Sequence, residues 1–334
     1  MLLTSLILAA VLLGTLLLFN RTAIAESRLS EYQGWNGCVT MSNGLIRTIL
    51  VPKVARVLHF SLKGMPNVLW EDSETAGKLQ SPDSETTGNY VNFGGAKLWV
   101  APQSKWGTLW TVWPPHYDLD SGKCRTTIGK DGSVSLEGLP SASAGVRMDR
   151  KATLRGNSVH FIYSMTNISG KTVEWGIWMV ANVQAGGRTF IPFVEGAALW
   201  SGEKDKKVPD SFNWKRTGDL LVLDFKDGRE GSKIFSLSPE GWIAYAVEGQ
   251  AFFITFAPDP EAVQPEGEAP TEIFRGKEFV ELEHIGPLVR LAPGEKTTLT
   301  ERWHLLKLPG GIKDPEALAE WIGRTGRKLS LRDK

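Results

Sequence analysis

Along most of the chain, apolar residues either alternate with polar ones or gather in short β-branched runs, and nearly every run ends at Gly, Asn, Asp, Ser or Pro. From Gly37 the rhythm is strand, turn, strand. Leu45 to Val51 is one such run, Pro52-Lys53 interrupts it and Val54 to Leu62 resumes it, with Asn43-Gly44 and Lys63-Gly64 as punctuation. Further strands are expected over Ser133 to Leu136, Val146 to Leu154, Ser158 to Thr166, Thr172 to Gln184, Leu220 to Asp224 and Lys233 to Leu237. The series continues with Trp242 to Val247, Ala251 to Phe256, Glu278 to Ile285 and Thr297 to Leu306. A helical pattern occurs only at the end, where Asp314 can cap, Pro315 suits the first helical position, and Ala317, Leu318, Trp321 and Ile322 make one apolar stripe. Strands in succession without helical crossovers predict an all-β protein, a large antiparallel β-sandwich with a short C-terminal helix.

Two polar stretches, Glu71 to Gly88 and the acidic, Pro-rich Pro258 to Pro270, are expected to be loops. The strand pattern resumes unchanged after each, so residues 26–334 are expected to form one domain. Ahead of them, Leu2 to Phe19 is almost unbroken Leu, Val, Ile and Ala, and Ala23-x-Ala25 matches a leader-peptidase signal, which places the mature start at Glu26. No Lys or Arg precedes that run, and its length approaches the about 20 residues of a membrane span, so an uncleaved anchor is the second reading. Both readings export the rest of the chain, to the periplasm or outside the cell, with no membrane contact beyond the leader.

The balance of 38 Lys and Arg against 37 Asp and Glu leaves a formal charge of +1, which gives no electrostatic footprint for nucleic acid or an anionic membrane. Cys38 and Cys124 are the only cysteines; an oxidising compartment allows one disulfide, a buried setting two separate thiols, and both remain open. Their spacing makes no zinc site. No P-loop, dinucleotide fingerprint, nucleophile elbow or HExxH run appears, so no cofactor is expected. Asn167-Ile168-Ser169 fits a glycosylation sequon.

The chemistry-bearing residues are densest between Tyr90 and Asp120, where Asn92, Lys97, Trp99, Gln103, Trp106, Trp113, His116 and Asp118 fall together. Aromatic rings beside amide, carboxylate and ammonium groups suit a sugar, which offers an apolar C–H face and a rim of hydroxyls. Each Trp alone is as well explained by core filling. Gly94-Gly95 and Pro114-Pro115 place the segment among loops over a sheet. On the strand ending at Ile285, alternation puts Glu281 and Glu283 on one face, where each raises the other's pKa, and His284 on the other. Trp178 and Gln184 likewise share a face of their strand, as wall of a groove or as buried core.

Asn43-Gly44-Leu45, Val51-Pro52-Lys53-Val54-Ala55-Arg56-Val57, Asn67-Val68-Leu69-Trp70, Thr166-Asn167 and Phe279-Val280-Glu281-Leu282-Glu283 resemble, in order, the hairpin and strand motifs of the galactose-mutarotase-like supersandwich, the fold of the aldose 1-epimerases. Asn92 to Gln103 with Trp113-Pro114-Pro115, and Gly286-Pro287-Leu288-Val289 with Leu291 to Glu295, resemble a bacterial branch of unknown function near that superfamily. The resemblance implies a sugar groove on a concave sheet. It also implies a Glu base, carried to Glu281 or Glu283, and a His acid; the place of the His holds Trp178-Met179, so the acid would be His116 from its loop. Three readings follow: an exported carbohydrate-binding protein, an aldose epimerase on the same groove, and a non-catalytic envelope protein that presents a surface.

Overall fold

The computed structural model describes residues 25–80, 90–109, 113–193, 199–200, 213–224, 232–310, 312 and 314–333. The chain first lays down β1 (Glu26–Tyr32), β2 (Trp35–Ser42), β3 (Ile46–Val51) and β4 (Arg56–Leu62) as an antiparallel meander. β5 (Ala96–Ala101) joins that sheet, and the short helix α1 (Tyr117–Asp120) leads to a second meander. It consists of β6 (Arg125–Ile128), β7 (Val134–Ser141), β8 (Val146–Arg155) and β9 (Ser158–Asn167). β10 (Val173–Gln184) returns to the first sheet and β11 (Arg188–Pro192) enters the second. Then follow β12 (Leu199–Trp200), β13 (Trp214–Thr217), β14 (Leu220–Asp224), β15 (Ser232–Ser236), β16 (Trp242–Val247) and β17 (Gln250–Thr255). β18 (Thr271–Arg275), β19 (Phe279–Ile285), β20 (Val289–Leu291), β21 (Lys296–Lys307) and the helix α2 (Pro315–Asp333) close the chain.

Among the described residues these strands make two antiparallel sheets. The first has 11 strands in the order β1-β2-β3-β4-β5-β10-β19-β18-β15-β12, with β20 beside β10; the second has 10, in the order β13-β14-β11-β16-β17-β21-β9-β8-β7-β6. Alternation fixes which side chains lie between them. Leu98, Met179, Ala181, Val183, Val280 and Leu282 of the first sheet belong to the same buried cluster as Phe161, Phe252, Trp303 and Leu305 of the second. Phe60 meets Phe252 and Trp303 with ring centroids 5.5 and 5.6 Å apart. The all-β sandwich expected from the alternation is therefore the architecture found.

The helix α2 runs for 19 residues from the cap and proline foreseen for it, the Ala317 amide donating to Asp314 Oδ2 at 2.8 Å. Ala319 and Ile322 pack with Phe190, Trp242 and Phe253 on the outer side of the second sheet. Gly326 lies so close to the Trp242 indole that a Cβ there would stand 2.6 Å from it.

Several local expectations are corrected. Ala96–Ala101 is a central strand between β4 and β10 rather than part of a loop, because its pleat puts Lys97 and Trp99 on one side and Leu98 and Val100 on the other. β11 and β18 escaped the alternation because they are short, and β18 also buries the charged Glu272 and Arg275; β1 escaped it because it is an edge strand with no buried residue. Cys38 and Cys124 are both free thiols, and burial pushes each up to about 11. Asn167 is buried, its Nδ2 donating to the Lys171 and Leu291 carbonyls at 2.8 Å, so the sequon asparagine serves the fold. The leader expected over residues 1–25 lies outside the described residues except for Ala25, and among those described no helix is long and apolar enough to cross a membrane.

Candidate functional site

Which side chains leave the first sheet on its outer side follows from register. Trp99 stands opposite Trp178, and one step along, Lys97 faces Val180, Val180 faces Glu283 and Glu283 faces Glu272. Another step brings Asn182, Glu281 and Phe274 into one row. Because successive strand residues point to opposite faces, Glu283 goes outward while His284 goes inward to Glu301 on β21, 3.0 Å away.

The outward charges pair with one another. Lys97 Nζ donates to Glu281 Oε1 and to the Tyr90 hydroxyl, both at 3.0 Å, and lies 4.4 Å from the Trp99 ring centre. Lys233 on β15 sits between Glu283, at 3.0 Å, and Glu272, and 4.6 Å over the Trp178 ring. Trp178 Nε1 donates to Glu283 Oε2 at 2.7 Å. To one side Arg56 forks onto Asp120, both oxygens at 2.8 Å, and Asp120 also accepts the Trp99 indole N–H at 2.7 Å.

Burial sets the protonation of this layer. It works against the Lys97 ammonium, yet Glu281 and Tyr90 outweigh it and push the group up to about 12. For Glu283, burial dominates over the attraction of Lys233 and pushes the carboxyl up to about 7. Glu272 is raised by the same cause, and the two carboxylates flanking Lys233 hold that ammonium protonated. Two carboxyls and one ammonium out of water are therefore most stable with one extra proton shared between the acids. A set that takes up or releases a proton near neutrality is what general acid–base chemistry requires.

The entrance to the layer is narrow. Lys97, Glu272 and Glu283 are at most 1 % exposed, whereas the side chains of Glu281 and Lys233 retain 12 % and 23 %. Trp99, Trp106 and Trp178 pack edge-on or tilted with centroids 5.3 to 6.0 Å apart and bury fully, so they form the floor and leave no free ring face. Trp113 does have one: 45 % exposed, it leans on Tyr90 and Trp99. Trp70, Phe274 and Phe279, half-buried and stacked in series, carry the aromatic border past Glu281.

Lys97, Trp99, Trp178, Glu281 and Glu283 thus converge, with Trp106 beneath and Trp113 at the rim. The other expected residues have different duties. Asn92 Oδ1 accepts the Gly94 amide at 3.1 Å and shapes the turn into β5; Gly94 and Gly95 take φ of +75° and +62°, and a Cβ on either would strike a carbonyl oxygen at 2.3 or 2.2 Å. The Gln103 amide is bound by Glu268 at 3.0 Å, which ties its turn to the Pro-rich loop. His116 Nδ1 bonds Asp118 at 2.7 Å at the start of α1, a placement that pairs it with Asp118 rather than with Glu281 or Glu283. Gln184 donates to the Asn67 carbonyl and lines an open depression of about 830 Å³ that Trp70 also lines, where Tyr32 and Asn67 both donate to Glu71, at 2.5 and 2.6 Å.

Residues the sequence did not single out complete the layer: Arg56, Tyr90, Lys233 and Glu272. Lys233 alone carried a signal, as the one charge in the short strand Ser232–Ser236. Asn182, wholly buried beneath Glu281, has no partner for either side-chain atom among the described residues, and Glu283 Oε1 has none either. Among the described residues no cluster of His, Cys, Asp and Glu is arranged for a metal ion.

Two antiparallel sheets with this crossing order and a polar, aromatic outer face define a galactose-mutarotase-like sandwich. Solved structures with that fold include a galactose mutarotase-like protein from Lactobacillus casei (13 % identity, 81 % of this chain and 100 % of that one covered, TM-score 0.53). A galactose mutarotase-like protein from Clostridium acetobutylicum (9 %, 85 % and 99 %, TM-score 0.55) and a galactose mutarotase related enzyme from Lactobacillus acidophilus (10 %, 83 % and 100 %, TM-score 0.53) share it. Within that class, residues 38–306 match the family model described as a domain of unknown function, DUF4380, and the chain belongs to that family. A comparison with curated proteins returned no match.

Proposed function

We propose that this chain is an exported carbohydrate-binding protein whose ligand lies across the outer face of the first sheet. The observation that supports this most is the Lys97–Glu281 pair, its lysine buried and its carboxylate partly exposed, with Tyr90 bonded to the lysine and in contact with the exposed Trp113. A sugar would rest its C–H face on Trp113 and exchange hydroxyl hydrogen bonds with Glu281 and Lys233. Proteins of the same fold that are described as mutarotase-like point the same way, and export rests on the apolar run and Ala23-x-Ala25 of the sequence. A saccharide panel titrated into the full chain is expected to change its tryptophan fluorescence, since Trp113 and the indoles of Trp99 and Trp178 belong to the layer; silence across the panel would refute binding.

One observation favours a second reading, an aldose epimerase. Glu283, held near pH 7, could pass a proton to and from an anomeric hydroxyl, with the Lys233–Glu272 pair as its proton reservoir. His116 is not in the described geometry an acid for that step, being paired with Asp118. Exchange NMR on anomeric protons with several aldoses separates the two: acceleration that disappears in Glu283→Gln supports epimerisation, and unchanged exchange at high protein concentration leaves binding alone.

A further inference from the structure

At the C-terminal end of β19, a cavity of about 410 Å³ is lined by residues of the Pro-rich loop and by His284 to Pro287, and is within the range of small-molecule sites. Its walls are apolar: Phe256, Pro258, Ile285, Pro287 and Leu299 among others. At its floor is His284, almost fully buried. The ring is held in one orientation, Phe256 stacked on its face with centroids 4.0 Å apart and Nδ1 bonded to Glu301 Oε2 at 3.0 Å. Glu301 is itself fixed from below by the Tyr163 hydroxyl and the Trp303 indole N–H, both at 2.6 Å. Nδ1 is engaged by Glu301, so Nε2 is the ring nitrogen outside that bond. Gln264 Oε1, also on the wall, is buried and unbonded. Asp259 is the only charged residue of the lining, and no Lys or Arg is part of it.

We infer that this cavity is a second ligand site, which takes a compact apolar molecule carrying a hydrogen-bond donor, an alcohol or an amine, with the donor on Gln264 Oε1. Among the described residues the lining carries the Asp259 carboxylate and no Lys or Arg, so a carboxylate or phosphate would meet a like charge with no side-chain ammonium or guanidinium to offset it and be refused. The apolar walls bury the rest of the guest. A bound donor satisfies the buried Gln264 Oε1.

Ligand-observed saturation-transfer NMR on the full chain, with benzyl alcohol, benzylamine and benzoate as probes at millimolar concentration, tests this. The alcohol or the amine is expected to bind and benzoate not. Gln264→Leu, a loop change that leaves both sheets intact, is expected to weaken the bound probe by about tenfold, and Ala262→Trp, which fills the cavity, to abolish its signal. Failure of both donor probes, benzoate binding as well as they do, or a signal untouched by Ala262→Trp overturns the inference.

Discussion

The two faces of β19 are built from alternate residues of a single strand and obey opposite rules. Inward, Val280 and Leu282 enter an apolar core, and the one polar residue, His284, is bound by a Glu301 that has three donors. Outward, Glu281 and Glu283 are drawn into ion pairs that are nearly as buried but incompletely satisfied. Burying apolar area stabilises; withdrawing ion pairs from water is often no better than an apolar replacement. The difference teaches that the inner face holds the fold through apolar burial, while the outer face carries buried charges whose polar atoms are not all satisfied.

The largest effect expected breaks the inner face. Phe161→Ala, at a wholly buried ring packed on Trp303, should cost about 3–5 kcal/mol in chemical unfolding. A loss under about 1 kcal/mol would mean that the sheets do not rely on that core. On the outer face Asp120→Ala should cost about 3 kcal/mol, because it strands the buried Arg56 guanidinium, but for a different reason than cavity formation. The contrast sharpens with Lys97→Met combined with Glu281→Leu. Removing both charges together should leave stability within about 1 kcal/mol of the parent, whereas Lys97→Met alone should be clearly less stable.

Proton linkage gives a smaller, signed effect. Glu283 has a folded pKa of about 7, above its unfolded value, so the folded state binds the extra proton and stability is highest below the unfolded pKa. It falls as pH rises from about 4.5 to 7, and Glu71, which burial pushes up to about 7, adds to that fall. His59, pushed down to about 4 by burial, acts in the opposite direction between about 4 and 6.5. Glu283→Gln should therefore remove up to about 1.4 kcal/mol per pH unit of the decline in that window. Unfolding midpoints that keep the parent's pH slope would place the proton elsewhere. The smallest expected change in stability is that of Trp113→Ala, about 1 kcal/mol or less, since the ring is nearly half exposed. Its effect should show instead in saccharide affinity.

Much of this contrast was legible in the alternation. Parity alone put Glu281 and Glu283 together with His284 behind them, and Trp178 on the same side as Gln184. The partners were not legible. Lys97 and Glu281 are 184 residues apart and Arg56 and Asp120 64, and only the strand order brings either pair within bonding distance. Aromatic residues misled for a related reason: Trp99, Trp106 and Trp113 look alike along the chain, but central strand β5 and the turn after it bury the first two and expose the third. His116 was drawn toward the acids by its place in a dense segment, yet the nearest carboxylate, Asp118, claims it two residues away.

The most direct test of the outer face as a carbohydrate site is a saccharide titration, followed by tryptophan fluorescence, of the full chain and of its Lys97→Met, Glu281→Leu form. At least one saccharide should bind the parent chain, and its affinity should fall about tenfold or more in the double variant, which still unfolds cooperatively at the parent's midpoint. Binding of equal strength in both, or by neither, would contradict the account.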